Sequence, residues 1–198
     1  MSQKKKEFME KQNKKIGGNR VFTGVLVFLV IFAAAGAYIK MTGETPSEVR
    51  WEGGNYTFGQ SMDYTDKVLT QTNIELMVED GKVIIPLEHV SENGFIYTEY
   101  NKDGFRLPLM SYVNPSGRLV AAISFCEPCR SQSFHINGEQ LICDSCNTRW
   151  ELATMKGITG GCMDYPPEEI DYEVVDGNII INELDIRSWT PRDLSAAR

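Results

Sequence analysis

Histidine is scarce in this chain of 198 residues, which contains only His89 and His135. Two histidines are too few to argue for a catalytic triad. The sequence also lacks a glycine-rich phosphate loop after a strand, a G-x-S-x-G nucleophile elbow and an internal repeat. No pairing of a nucleophile with a base is visible, so the sequence gives little support to an enzymatic function.

Positive charge is also in deficit, with 20 Lys and Arg against 27 Asp and Glu and a net charge of −7. The first 40 residues hold eight of the basic residues and two of the acidic ones, so the remainder carries 12 against 25, or −13. So acidic a remainder is not expected to bind nucleic acid or an anionic membrane surface. Its charge suits cations or a basic protein partner, although a solvated acidic surface is the more ordinary explanation.

Long apolar runs are absent except for one, Val21–Ile39, which contains no charged residue. A bilayer core of about 30 Å needs about 20 such residues, so the run predicts one transmembrane helix over 21–39. The basic leader 1–20 then stays in the cytoplasm and the rest lies outside the cell membrane. The alternative is a cleaved signal peptide, with Val21–Phe32 as its apolar core and Ala33–Ala35 as its cleavage site.

Only five cysteines are present, and four of them form two C-x2-C pairs, Cys126 with Cys129 and Cys143 with Cys146. The pairs flank a predicted hairpin that turns at Asn137-Gly138, the strongest short hairpin signal. Folding that hairpin brings the two pairs side by side. Four thiolates at the corners of one tetrahedron suit zinc, a single iron or an iron–sulfur cluster, and they leave no open coordination position.

Other uses of these cysteines remain open. Oxidising compartments favour disulfides, and two structural bridges with one free thiol are the alternative, although paired C-x2-C motifs around a hairpin are unusual for a disulfide framework. A thioredoxin-like motif needs a βαβ context, which the sequence lacks. Cys162 in Gly160-Gly161-Cys162 fits a buried small residue, a reserve ligand or a reactive thiol.

Short strands separated by Gly, Asn and Asp turns follow the apolar run, and they indicate a compact, mostly β extracytoplasmic domain over 61–187. Residues 40–60 form a predicted tether and residues 188–198 a polar tail. About 130 residues can bury a core without help from a metal. The predicted strands are Asn73–Val78, Lys82–Leu87, Phe95–Tyr100, Phe105–Met110, Arg118–Ser124, Ser133–Ile136, Gln140–Ile142, Tyr172–Val175 and Ile179–Ile181.

Together, the segments Ile123–Cys129, Leu141–Trp150 and Gly160-Gly161-Cys162 resemble the FtrD-like family of membrane-bound iron–sulfur proteins. With lead-in strands that are also similar, the resemblance covers roughly Asn73–Ile181. It implies that Cys126, Cys129, Cys143 and Cys146 hold an iron–sulfur centre, and some members of the family accompany ferrous-iron uptake systems with a permease. Larger members have a multi-span region and this chain has one membrane segment, so a separate permease would carry out any transport.

The sequence also shows a looser resemblance to Rieske centres. In these centres a cysteine is followed by a histidine three residues later, and an aromatic residue comes four residues after that histidine. Cys143, Cys146 and Trp150 have this spacing with cysteine in place of histidine, and Cys129 replaces the other ligand histidine with one extra spacer residue. The expected site is a rubredoxin/Rieske-like pair of knuckles. An all-thiolate version implies a lower potential, by on the order of 400 mV.

Two functions fit these patterns. One is electron transfer or metal handling at the outer face of the membrane, for an iron-uptake or respiratory complex, with a permease or a redox protein as partner. The other is a binding or scaffold protein with structural zinc. Trp150 and Phe125 are expected to shield the centre from water or to pack in an ordinary core. Glu127 and Asp144 are expected to face solvent, at a rim where a redox partner docks.

Overall fold

The computed structural model describes residues 53–194. The predicted leader, the transmembrane helix over 21–39 and most of the tether lie outside the described residues. Among residues 53–194, no helix has the length and apolar character needed to cross a bilayer.

Strands dominate the described residues, and two short helices accompany them, so the prediction of a mostly β domain is confirmed. The strands are β1 (Val68–Thr70), β2 (Thr72–Asn73), β3 (Met77–Glu79), β4 (Lys82–Pro86), β5 (Phe95–Lys102), β6 (Phe105–Val113), β7 (Leu119–Ile123), β8 (Phe134–Asn137), β9 (Gln140–Cys143), β10 (Arg149–Glu151), β11 (Gly157–Thr159), β12 (Glu173–Val175) and β13 (Asn178–Asn182). The helices are α1 (Leu87–Asn93) and α2 (Glu183–Ser188).

The strands form three sheets. We call them the knuckle sheet (β1-β8-β9-β10-β11), the meander sheet (β2-β5-β6-β7) and the terminal sheet (β12-β13-β4-β3). All neighbouring strands run antiparallel except β2 and β5, which are parallel. The knuckle sheet carries the hairpin predicted between the cysteine pairs, with Phe134 opposite Cys143 and Asn137 opposite Gln140.

Three hairpins turn at Asp-Gly pairs in which both residues have positive φ. The φ values are 48° and 73° at Asp80-Gly81, 52° and 78° at Asp103-Gly104, and 50° and 76° at Asp176-Gly177. Two consecutive positive φ angles are what a type I′ turn requires, and Asp and Gly adopt them most readily. The turns predicted at these positions are therefore present.

Two hydrophobic cores lie on the two faces of the meander sheet. Along β6, Leu107 and Leu109 belong to the core shared with the terminal sheet, whereas Met110 and Tyr112 belong to the core shared with the knuckle sheet. Both faces are covered, so β7 is buried at every position and β6 from Leu107 onward. The meander sheet thus packs against one face of the knuckle sheet through this second core.

The segment predicted as one strand over Asn73–Val78 is divided between two sheets. Asn73 pairs with Tyr97 in the meander sheet, and Met77 pairs with Ile84 in the terminal sheet. The chain leaves one sheet for the other between these residues. The alternation of apolar and polar residues in the sequence continues across this point, although the strand ends there. The three-residue strands β1, β10 and β11 and the two short helices were not predicted, because they are too short for a periodic signal.

Both ends of the described chain contact the domain. Leu119 N donates to Tyr56 O at 2.9 Å, within the segment predicted as a tether. In the segment predicted as a tail, Trp189 packs edge to face on Phe125, with ring centroids 6.0 Å apart. Residues of the predicted tether and of the predicted tail therefore contact the domain in the described residues.

Candidate metal centre

Two loops of the same backbone form carry the four cysteines. In the first, Cys126 N donates to Ser131 O at 2.8 Å and Arg130 N donates to Cys126 O at 2.6 Å. Arg130 has a φ of 60°, in the left-handed region. These bonds fold the first C-x2-C motif back on itself, directly after β7.

The second loop repeats this pattern at the end of β9. Cys143 N donates to Thr148 O at 3.0 Å, Asn147 N donates to Cys143 O at 2.9 Å, and Asn147 has a φ of 56°. In both loops the left-handed residue comes directly after the second cysteine, and a hydroxyl residue comes next. We call the two loops knuckles. Each knuckle presents its two sulfurs on one side of a compact turn.

The four sulfurs converge on one point. Cys126, Cys129, Cys143 and Cys146 place their Sγ atoms all within 4.8 Å of one another. Two contacts between the knuckles are shorter, 4.0 Å from Cys126 Sγ to Cys146 Sγ and 3.6 Å from Cys129 Sγ to Cys143 Sγ. All five cysteines are free thiols, so the alternative of two structural disulfides is not adopted.

Burial differs systematically within each knuckle. The first cysteine of each, Cys126 and Cys143, is 0% exposed and belongs to the core behind the knuckle sheet. The second cysteine of each, Cys129 and Cys146, is only half-buried. The centre therefore has an inner edge in the core and an outer edge that reaches the surface.

The four clustered thiols shift one another's pKa. A hydrogen bond between the Cys126 and Cys143 thiols raises the pKa of Cys126 and lowers that of Cys143 to about 4. Burial raises the pKa of Cys129 to about 11. A thiolate-binding metal would displace these protons, because only the deprotonated sulfur is a ligand.

Cys162 lies beside this centre but is not one of the four grouped sulfurs. The residue is 6% exposed, its thiol is close to Cys126 and Cys146, and burial raises the pKa of the thiol. Its backbone N donates to Thr148 Oγ1 at 3.1 Å, and the same oxygen lies 3.2 Å from Cys146 Sγ. Thr148 thus links the Gly160-Gly161-Cys162 segment to a candidate ligand, a role that the sequence analysis did not assign.

The two acidic knuckle residues differ in exposure, and the expectation for Glu127 was wrong. Glu127 is 4% exposed and its carboxylate is bound by Arg192, through Nε and through the backbone N at 2.7 Å. Asp144 is exposed, as expected, and contacts His135 Nδ1 at 2.6 Å and the Ser133 hydroxyl. No local signal marked Arg192 as the partner of the first knuckle.

Of the two aromatic residues expected near the centre, one belongs to the same core. Trp150 is fully buried in the core cluster that contains Cys126 and Cys143, and its Nε1 donates to Met163 O at 3.1 Å. Phe125 instead packs against the other core, where its neighbour is Trp189. Trp150 therefore packs in the core that also contains the inner edge of the centre.

A closed set of four thiolates can hold a soft metal but offers no coordination position to a substrate. A search of curated proteins finds no match to this chain. The family model described as membrane iron-sulfur containing protein FtrD-like matches residues 90–192, which include both knuckles and Arg192. Because that match covers more than half of the sequence, the chain belongs to the FtrD-like family of membrane iron–sulfur containing proteins.

Proposed function

We propose that this protein binds a redox metal centre through Cys126, Cys129, Cys143 and Cys146 and transfers electrons at the outer face of the cell membrane. The observation that carries this proposal is the convergence of four free thiols within 4.8 Å of one another. Membership of a family described as membrane iron–sulfur containing proteins supports iron as the metal. The closed ligand set favours an electron carrier over an enzyme.

The surroundings of the site suit electron transfer. The inner edge is held in a packed core with Trp150, which keeps water away and limits rearrangement of the ligands when the charge of the metal changes. At the outer edge, Cys129 and Cys146 are half-buried, so an electron has a short route to a partner on that side. Four thiolates favour a low potential.

The sequence and the family description support a place of action at the membrane. The apolar run 21–39 would anchor the chain as a single-pass protein with the metal domain outside the cytoplasm. We propose that the electron partner belongs to an iron-uptake or respiratory membrane complex, as a permease or a redox protein. The strongly acidic exported part speaks against nucleic acid as a partner.

Metal analysis of the full chain, purified without oxygen in detergent, tests this proposal. We expect iron in the protein and a visible absorption band that bleaches on addition of dithionite. Cys143→Ser removes a candidate ligand from the inner edge and should abolish metal binding, whereas the surface variant Arg106→Ala should retain it. A full complement of metal in Cys143→Ser would overturn the ligand assignment.

Structural zinc is the second candidate, and the closed four-thiolate geometry itself favours it. A zinc protein would be colourless and would not respond to dithionite. Isolation of one zinc per chain, together with failure of anaerobic iron reconstitution to give a reducible species, would replace electron transfer with a scaffold role.

A further inference from the structure

We infer that the centre holds a single metal ion and not an iron–sulfur cluster. The inference rests on the proposed metal site and specifies its composition. A tetrahedral ion with metal–sulfur bonds of about 2.3 Å places its sulfurs about 3.8 Å apart. The two shorter contacts between the knuckles, 3.6 and 4.0 Å, lie on either side of that value.

A two-iron cluster does not fit the same four sulfurs. Each iron would take two cysteines, so four of the six sulfur pairs would join ligands of different irons, whichever cysteines were paired. The separation of the two irons pushes such pairs to roughly 5.5 Å or more when the metal–sulfur bonds are about 2.3 Å. All six pairs here lie within 4.8 Å. A four-iron cluster is excluded more strongly, because each cysteine would then bind a different iron.

The surrounding structure opposes an expansion of the site. Cys126 and Cys143 are fully buried, and each is held by two backbone hydrogen bonds within its own knuckle. Cys143 also ends β9, where it pairs with Phe134 of β8. These bonds fix the shape of each knuckle, and moving the knuckles apart by an ångström or more would open the core that Cys126 and Cys143 share with Trp150. The fold is therefore preorganised for one ion.

The family is described as iron–sulfur containing, whereas the sulfur–sulfur distances here fit a single metal ion. Four cysteine sulfurs around a single iron also form an iron centre with sulfur ligands, but that centre contains no inorganic sulfide. Its reduction adds one electron to ferric iron and gives ferrous iron. The presence or absence of acid-labile sulfide therefore separates the two compositions.

The experiment uses the full chain, purified without oxygen in detergent and reconstituted with ferrous iron, with and without added sulfide. Iron, zinc and acid-labile sulfide are counted per chain, and X-ray absorption at the metal edge reports the neighbours of the metal. We expect one metal per chain in both reconstitutions, no labile sulfide, and sulfur neighbours at about 2.3 Å without a second metal. Cys162→Ala should give the same result, and Cys143→Ser should lose the metal.

The outcomes separate this inference from the proposed function. Two or more irons per chain with matching sulfide would overturn the single ion and leave electron transfer standing. One zinc per chain that iron cannot replace would support the single ion and overturn the redox function. Failure to bind any metal in all conditions would overturn both.

Discussion

Arg192 binds the buried carboxylate of Glu127, 65 residues earlier in the chain, and so fastens the C-terminal segment to the first knuckle. The exposed fraction of the side chain is 2% for Glu127 and 27% for Arg192. Arg192 also bonds to Pro166 O at 2.6 Å, and its guanidinium lies 5.4 Å from the centroid of the Tyr165 ring. The ion pair therefore ties the C-terminal segment to the knuckle that carries Cys126 and Cys129.

Loss of Arg192 should destabilise the domain, because it leaves the Glu127 carboxylate buried without a counter-charge. We expect Arg192→Ala to lower the free energy of unfolding by about 2–3 kcal/mol, less than for a fully buried pair because Arg192 is partly exposed. Arg106→Ala is the matched control, since it breaks an exposed pair with Glu99, and it should cost less than about 1 kcal/mol. Urea unfolding measures both, and equal effects would contradict the burial argument.

Cys162 should be dispensable for metal binding even though its thiol lies beside two candidate ligands. The four other sulfurs complete a tetrahedron without it. We expect Cys162→Ala to keep a full complement of metal and Cys146→Ser, at the outer edge, to lose most of it. Metal content after gel filtration in a chelator tests this. Loss of metal in Cys162→Ala alone would identify Cys162 as the fourth ligand.

The hydroxyl of Thr148 should strengthen metal binding through Cys146. In the structure the Cys146 thiol donates to the Thr148 oxygen at 3.2 Å, and this oxygen also accepts a hydrogen bond from Cys162 N. A Cys146 thiolate bound to a metal has no proton to donate, so we expect the Thr148 hydroxyl to donate to the sulfur instead. Loss of a hydrogen bond to a metal ligand typically weakens metal binding 10–100-fold, and we expect this for Thr148→Val. Thr148→Ser keeps the hydroxyl and should bind nearly as well. Competition with a chelator measures both, and equal affinities would show that the hydroxyl has no role.

Gly160 and Gly161 should respond differently to the same substitution. Gly160 has a φ of 115°, and a Cβ there would lie 2.5 Å from Thr148 Cα. At Gly161 a Cβ would meet nothing within 4 Å. We expect Gly160→Ala to cost about 2 kcal/mol or more in stability and to weaken metal binding by displacing Thr148. Gly161→Ala should change neither, and similar thermal unfolding curves for the two variants would contradict this account.

The lowered pKa of Glu183 should make the stability of the folded domain depend on pH. Hydrogen bonds from Lys102 and Tyr100 lower its pKa below 4.5 in the folded protein. A carboxylate with a lowered pKa stabilises the fold at pH values above its unfolded pKa, and this contribution is lost as the pH falls through the folded pKa. We therefore expect the urea midpoint of the parent protein to fall more between pH 5 and pH 3 than that of Glu183→Gln. Glu99→Gln serves as the control, and parallel curves for the parent and Glu183→Gln would refute the prediction.

Local chemistry explains which features were predictable. The Asp-Gly turns follow from the tolerance of Asp and Gly for positive φ, so the bounds of the hairpins between them could be read within a few residues. The inter-knuckle hairpin was also predicted, although its turn occupies Gly138 and Glu139, one position later than predicted, because Asn137 pairs with Gln140. Of these two turn residues only Gly138 has a positive φ. Patterns confined to a few neighbouring residues were reliable.

Features that depend on distant contacts were not predictable. Apolar alternation across Asn73–Val78 predicted one strand, but the two ends of this segment belong to two different sheets. Glu127 was expected to face solvent, because charged residues are rarely buried unless they are paired. Its partner is Arg192, in a segment whose composition suggested only a polar tail.

By itself, the sequence determined the candidate ligands and the form of the two knuckles, because the hydrogen bonds that shape each knuckle join residues no more than five positions apart. Tertiary structure decided which sulfurs are buried, how closely the two knuckles approach and which residues surround them. Those properties depend on the packing of the knuckle sheet against the meander sheet and on contacts across as many as 65 residues. The spacing of the cysteines therefore predicted a metal site, and only the distances between their sulfurs distinguish one ion from a cluster.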